Sequence, residues 1–437
     1  MSNILIYLTN TLRIEYNELF ENITENDNVT ILYIFNKRHI DDISNLRKKF
    51  LYEAVKNFEN DLNENNIYLH KEYGDPKEIL KTYMENYSYD KIITEKQFAY
   101  DEIEVNRYLK EISQEKKVQF NQISTQTILN SLPFELNEIP NTYTNFRKIV
   151  EKNDCYNINL PNKELPKFNS VKQENKLTDN FEIEDEINLR YYPNRENALN
   201  HLNNYIWKRE LIKTYKNTRN QMLGEDYSTK FSPYLALGIL NVKEIILEVN
   251  QYEKTRIKNI STYWVKFELL WREYCKWVSL KYEEKVFLST GIQNKEIFSK
   301  TDNELYDKFI KAQTGYGLID AAIRELTQTG YMSNRARQNV ASFFVKNLHQ
   351  PWLKGAKFFE DYLLDYDPCS NYLNWQYVAG CGNDSREFRY FNIYKQTKDY
   401  DPKHEYIKYY VPEFETSDYP KEIVDFYETI NTSKQNQ

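Results

Sequence analysis

The sequence predicts two fold classes in succession: an α/β N-terminal domain built on a parallel sheet, then an all-helical C-terminal domain. Three observations carry this. Short β-rich runs alternate with helical patterns through the first 130 residues, as strands joined by crossover helices do. From residue 196 the pattern is helical nearly to the end. At 437 residues the chain is also long for one core, which favours more than one domain.

The elements follow in order. Residues 3–8 (NILIYL) and 30–35 (TILYIF) read as strands, and residues 45–62 as a helix. IYLHKEY from residue 67, the turn Gly74-Asp75-Pro76, a helix from Pro76 and KIITE from residue 91 continue the alternation. The first turn has no G-x-G-x-x-G, so the dinucleotide fingerprint is absent. This domain is expected over residues 1–130. Residues 131–190 are polar and strand-poor, with Pro133, Pro140, Pro161 and Pro166, and read as a connector that wraps. A helical domain is expected over 191–430, with breaks at Pro193, Pro233, Pro351 and Pro368.

Composition excludes several classes. A net charge of -7 rules out a globally basic nucleic-acid coat, though not a local basic face. Cys155, Cys275, Cys369 and Cys381 form no C-x-x-C, fitting neither a zinc site nor a secreted disulfide scaffold. No metal site is expected. No 18-residue apolar run occurs and the start is too polar for a signal peptide. The expectation is a soluble, cytoplasmic monomer without membrane contact.

Four stretches have the residue types for chemistry. Residues 365–391 place Asp365, Asp367, Asn371, Trp375 and Tyr377 ahead of Gly380 and Gly382. Carboxylate, amide and indole at such spacing suit a flat, polar, hydrogen-bonding object. Residues 215–240 put Ser228, Thr229 and Lys230 just before a helix start, with Ser232 as its N-cap, Pro233 at the first helical position and Gly238 at its end. Hydroxyls, a lysine and free N–H groups at a helix N-terminus suit phosphate. Residues 262–281 carry Trp264, Phe267, Trp271, Tyr274 and Trp277 at helical spacing, with Glu268 and Arg272 beside them. Asn334, Arg337 and Gln338 share one helical face in residues 314–348. Lys208, Arg209, Lys213, Lys216 and Arg219 form a basic cluster able to track a phosphate backbone. Taken singly, each stretch also reads as an ordinary core or solvated helix.

Together, YKNTRN, DYSTKFSPYLALG, FELLWREY, TGYMSNRARQ and DYDPCSNYLNWQY with GNDSREFRYFN resemble the photolyase/cryptochrome family in order and spacing. The resemblance is strongest over residues 190–412. It implies an N-terminal α/β domain and a helical domain holding FAD. By that resemblance Tyr215, Ser228, Thr229, Lys230, Phe231 and Ser232 contact the FAD phosphates and ribityl. Arg272 and Arg337 flank the flavin, with Arg337 facing Asp367. Asp365 and Asp367 hold the ribityl and isoalloxazine region, and Asn371 sits at flavin N5. Glu268, Trp271, Asn334 and Tyr377 line a cavity for the lesion, and Trp375 and Trp352 pass electrons.

The implied activity is that of a deoxyribodipyrimidine photo-lyase: light-driven repair of cyclobutane pyrimidine dimers by electron transfer from reduced FAD. The implied partner is UV-damaged DNA. Tyr377, Gln338, YSTKFSP and GNDSRE look like the cryptochrome DASH branch, which resembles a repair enzyme preferring single strands. No histidine falls in the cavity motifs, against a (6-4) photolyase. The alternative is a blue-light flavin photoreceptor signalling through a partner; only about 25 residues follow the last family motif. The outer tryptophan of the family's electron chain is missing, with Phe298 and Tyr306 as nearby candidates. A folate antenna is an expectation of the branch, with Glu95 or Glu102 as its marker. The motif at residues 8–13 lacks the family's usual Arg and Asp.

Overall fold

The computed structural model describes residues 1–129, 131–172, 186–383 and 388–436. β1 (Asn3–Leu8) and β2 (Asn28–Asn36) are apolar almost without a break and buried along most of their length. Strands covered on both faces of a parallel sheet read this way. β3 (Leu69–Gly74), β4 (Lys91–Glu95) and β5 (Gln119–Ile123) complete the order β3-β2-β1-β4-β5, every pair parallel. Ile4 pairs with Val29 on one side and Lys91 on the other. Helices Asn45–Asn63, Pro76–Asn86 and Tyr100–Glu115 separate the strands. The first two are capped by Ser44 and Asp75, whose side chains accept backbone N–H bonds.

The α/β expectation holds, with additions. β5 reads QFNQI, too polar to stand out, because it is a partly exposed edge. Residues 131–190 carry the helix Tyr143–Lys152 and a further strand, β6 (Asn169–Ser170), parallel to β2. Residues 173–185, within the expected connector, lie outside the described residues.

The chain forms two compact units that interleave in sequence. The first comprises Met1–Leu132, Asp154–Lys208 and Phe231–Thr255; the second comprises Pro133–Asn153, Arg209–Lys230 and Arg256–Gln437. Borders at 130 and 190 therefore divide the chain differently. In the first unit, Gly238 has φ +62, and a Cβ there would come 2.1 Å from the Asn10 carbonyl oxygen, so only glycine fits. Ser232 is not the N-cap expected of it. Phe231 already has helical dihedrals and takes the cap position of a five-residue helix, Ser232–Ala236, without a side-chain cap bond.

The second unit is helical. Its core gathers buried residues of Gly317–Thr329, Asn334–Ser342, Trp352–Tyr362 and Pro368–Ala379. Trp375 is clasped there by Phe344 and Phe359, with ring centroids 5.8 and 5.0 Å away. Gly355 lets the Trp352–Tyr362 helix approach: a Cβ would lie 2.3 Å from the Trp375 ring. Among the described residues no helix is long and apolar enough to cross a membrane.

Candidate active site

The Ile260–Tyr282 helix supplies one wall. Asn259 caps it, accepting from the N–H groups of Ser261 (2.8 Å) and Thr262 (3.0 Å). Its aromatic stripe divides in two. Tyr274 and Trp277 are core, the Trp277 indole donating to buried Glu273 at 2.9 Å. Trp264, Phe267 and Trp271 are only half-buried and flank Glu268. Tyr143 braces this face, its ring edge-on to Phe267 (4.9 Å) and Trp271 (4.8 Å). The Glu268 carboxylate meets Arg219 at 2.7 Å. Burial pushes the Glu268 carboxyl above its ordinary 4.5, against the pull of the Arg219 guanidinium.

The opposite wall is the turn into the Pro368–Ala379 helix. Asp367 is its N-cap, accepting from the Ser370 N–H at 2.8 Å, with Pro368 in the first turn and Gly380 at φ 98 closing the far end. The resemblance set Arg337 against Asp367, but the pairing is different. The Arg337 guanidinium donates to both oxygens of Asp365 (3.0 and 2.8 Å), and Asp367 takes the Lys276 ammonium at 2.8 Å. The reason is positional: Lys276 projects from the helix next to the cap, so the cap carboxylate is already neutralised. Burial raises the Asp367 carboxyl, but Lys276 and Arg272 together hold it well below the carboxylate range. Asn371, one turn into the helix, is buried and donates to the Ala356 carbonyl at 2.9 Å.

A cavity of about 350 Å³ brings these walls together. Glu268, Trp271, Asn334, Arg337, Asp365, Asp367, Asn371, Trp375 and Tyr377 all line it. The Tyr377 hydroxyl accepts from Arg389 at 2.7 Å, and its ring meets Trp271 edge-on at 6.1 Å. Trp352 lies behind, its indole donating to the Ser289 carbonyl at 2.8 Å. Arg272 acts on the site through the Asp367 charge.

Of the expected phosphate stretch, Tyr215, Ser228, Thr229 and Lys230 belong to the second unit, and Phe231 and Ser232 to the first. The fully buried Lys230 ammonium donates to Gly224 O (2.6 Å) and Glu225 (3.1 Å), so it braces its own loop. Residues 384–387 of the GNDSRE motif lie outside the described residues. Arg219, first read as part of a basic cluster, is instead the partner of Glu268. Lys276 went unnoticed, although its spacing of four from Arg272 and eight from Glu268 puts all three along one helix side.

Three polar atoms of cavity-lining residues are buried without a partner: Trp375 Nε1, Gln338 Oε1 and Arg219 Nε. Orphaned groups of that kind call for a ligand with donors and acceptors of its own. With two carboxylates, a guanidinium, an amide and aromatic faces, the donor set fits a flavin.

Comparison with known proteins agrees. A family model for DNA photolyase matches residues 4–167, and one for the FAD binding domain of DNA photolyase matches residues 264–437. The chain thus belongs to the photolyase/cryptochrome family and carries its FAD-binding domain. Within that family it is most like the cryptochrome DASH branch. It is 37% identical over 432 residues to the cryptochrome DASH of Gloeobacter violaceus, covering 94% of this chain and 85% of that one. A solved cryptochrome from Synechocystis superposes with TM-score 0.93 at 32% identity, covering 100% of this chain and 99% of that one. A class III photolyase from Agrobacterium tumefaciens, at 22% identity and TM-score 0.85 over 100% of this chain and 97% of that one, shares the fold.

Proposed function

We propose that this protein is a deoxyribodipyrimidine photo-lyase of the cyclobutane type, acting on UV-damaged DNA and favouring single strands. The observation that carries the reading is that one cavity is lined by Glu268, Trp271 and Tyr377 together with Asp365, Asp367 and Asn371. The first three offer aromatic faces and a hydrogen-bonding carboxyl to extruded bases; the others offer polar groups to a flavin.

Asp365, Asp367, Asn371, Arg272 and Arg337 are the residues that would hold the flavin, with Tyr215, Ser228 and Thr229 toward its phosphates. Bound and reduced, FAD supplies a light-absorbing one-electron donor. The chain's own groups do the rest. A pyrimidine dimer stacks poorly and leaves the strand at low cost, least of all from a single strand. Trp271 and Tyr377 then take the place of the lost stacking. The raised Glu268 carboxyl, when protonated, donates a hydrogen bond to a pyrimidine carbonyl while Arg219 stays beside it. Buried Tyr143 and half-buried Phe267 and Trp271 keep water from that side.

For a folate antenna there is less support. Buried Glu95, one of the two expected markers, is taken up by the N–H groups of Thr9 (2.9 Å) and Asn10 (3.0 Å).

The test is illumination of purified protein with irradiated oligo(dT), single- and double-stranded. Loss of dimers under blue light, faster on single strands, is expected; no repair on either substrate rejects the reading. A photoreceptor without repair draws on one observation: the Glu268 carboxylate is already paired with Arg219. It calls for a light-dependent change of oligomeric state with no dimer loss.

A further inference from the structure

The electron chain implied by Trp375 and Trp352 lacks an outer tryptophan. Neither sequence candidate fills the place. Phe298 packs on His349 (5.3 Å), and a phenyl ring is far harder to oxidise than an indole. Tyr306 packs on Phe344 (6.1 Å) with the Lys354 ammonium 5.0 Å over its ring, which disfavours a positive hole there.

The ring that meets Trp352 is Tyr372, edge-on at a centroid distance of 6.2 Å. Tyr372 is half-buried, so it joins the buried indole to the surface. Its position is fixed: Phe287 also packs on it at 4.8 Å, and its hydroxyl donates to Glu360 Oε2 at 2.9 Å. The same carboxylate oxygen accepts from Tyr366 at 2.8 Å, and the Lys357 ammonium stands 3.4 Å from the other oxygen. A phenol loses an electron readily only if its proton leaves too, because the oxidised phenol is a very strong acid. A hydrogen-bonded carboxylate is the group that accepts that proton.

We infer that Tyr372 is the terminal electron donor to Trp352 and that Glu360 accepts its proton. The inference rests on the electron-transfer reading of Trp375 and Trp352. When bound, an oxidised flavin would supply the light-activated one-electron oxidant that starts the chain, and the hole would reach Trp352 as an indole radical cation. Tyr372 then gives one electron to Trp352, its Oη–H bond breaks, and a new O–H bond forms on Glu360 Oε2. The products are neutral Trp352, a neutral Tyr372 phenoxyl radical and a protonated Glu360. An external reductant at the surface later returns an electron, and Glu360 the proton, to Tyr372.

The test is flash excitation of the flavin-loaded protein, read by transient absorption and by electron paramagnetic resonance with ring-deuterated tyrosine. A tyrosyl signal should grow as the tryptophanyl signal decays. Tyr372→Phe keeps the packing against Phe287 and Trp352 and should abolish the tyrosyl signal, leaving a tryptophanyl radical. Glu360→Gln still accepts the bond but not the proton, and should slow the growth by about tenfold. The wild-type step should also slow in D2O. Tyr366→Phe, the control for disturbance around Glu360, should leave the tyrosyl signal in place. A tyrosyl signal unchanged in Tyr372→Phe, or tryptophanyl radicals alone in the wild type, overturns the inference while leaving the tryptophan chain standing. A bound flavin that yields neither radical refutes the chain itself.

Discussion

At the scale of the residue, this site is a set of paired charges, and the pairs predict its behaviour. Lys276 is buried against Asp367, with side chains only 4% and 13% exposed. Asp367→Asn strands that ammonium, so about 3–5 kcal/mol of stability should be lost in denaturant titration. The pH dependence has a definite sign. Asp367 is held well below its ordinary 3.8, so its contribution is complete above that value and fades as pH falls below it. The Asn variant should lose that part of the acid slope. Glu268 differs, because it lines the cavity beside Arg219 and away from the Lys276–Asp367 pair. Glu268→Ala should keep bound FAD while repair falls about 10- to 100-fold, the loss of one hydrogen bond of about 1.5–3 kcal/mol. Flavin absorbance and dimer loss on the same sample separate the two.

At the scale of the element, the turn between two consecutive helices, Trp352–Tyr362 and Pro368–Ala379, carries the cavity-lining Asp365 and Asp367. The approach of the two helices depends on Gly355 lying against the Trp375 ring. Gly355→Ala should cost about 1–3 kcal/mol through overpacking and alter Trp375 fluorescence, measured by thermal unfolding and emission spectra. The Pro368 start and Gly380 stop were legible from residue type alone, as were the strands at residues 3–8 and 91–95. β5 was not, because an edge strand with polar residues has no periodicity to distinguish it from a loop. Ser232 failed as a cap for a related reason: cap preference is a property of backbone angles, and Phe231 had already entered the helix.

At the scale of the whole molecule, the net charge of -7 and a DNA substrate are compatible only if positive charge is local. Binding of single-stranded DNA should therefore weaken steadily with salt, with a log–log slope of about 0.7 for each phosphate contacted. Fluorescence anisotropy across a salt series measures it. A flat response would place the affinity in stacking on Trp271 and Tyr377 alone. The interleaving of the two compact units also bears on truncation. Because Phe231–Thr255 clusters with the sheet, an isolated fragment of residues 191–430 should expose apolar surface and aggregate, as size-exclusion chromatography would show.

By itself the sequence determined the fold class, the family and the identity of the cavity residues, because strand and helix periodicity are local and five ordered motifs identify a family. Tertiary structure decided the partners. Arg337 meets Asp365 and not Asp367, Lys276 takes Asp367, Arg219 takes Glu268, and Lys230 turns into its own loop. Such pairings depend on which side chains reach one point from different helices, and no spacing along a single helix encodes that distance. The Tyr372 contact with Trp352 and Glu360 is of the same kind: three residues from two helices, meaningful only once the helices are packed.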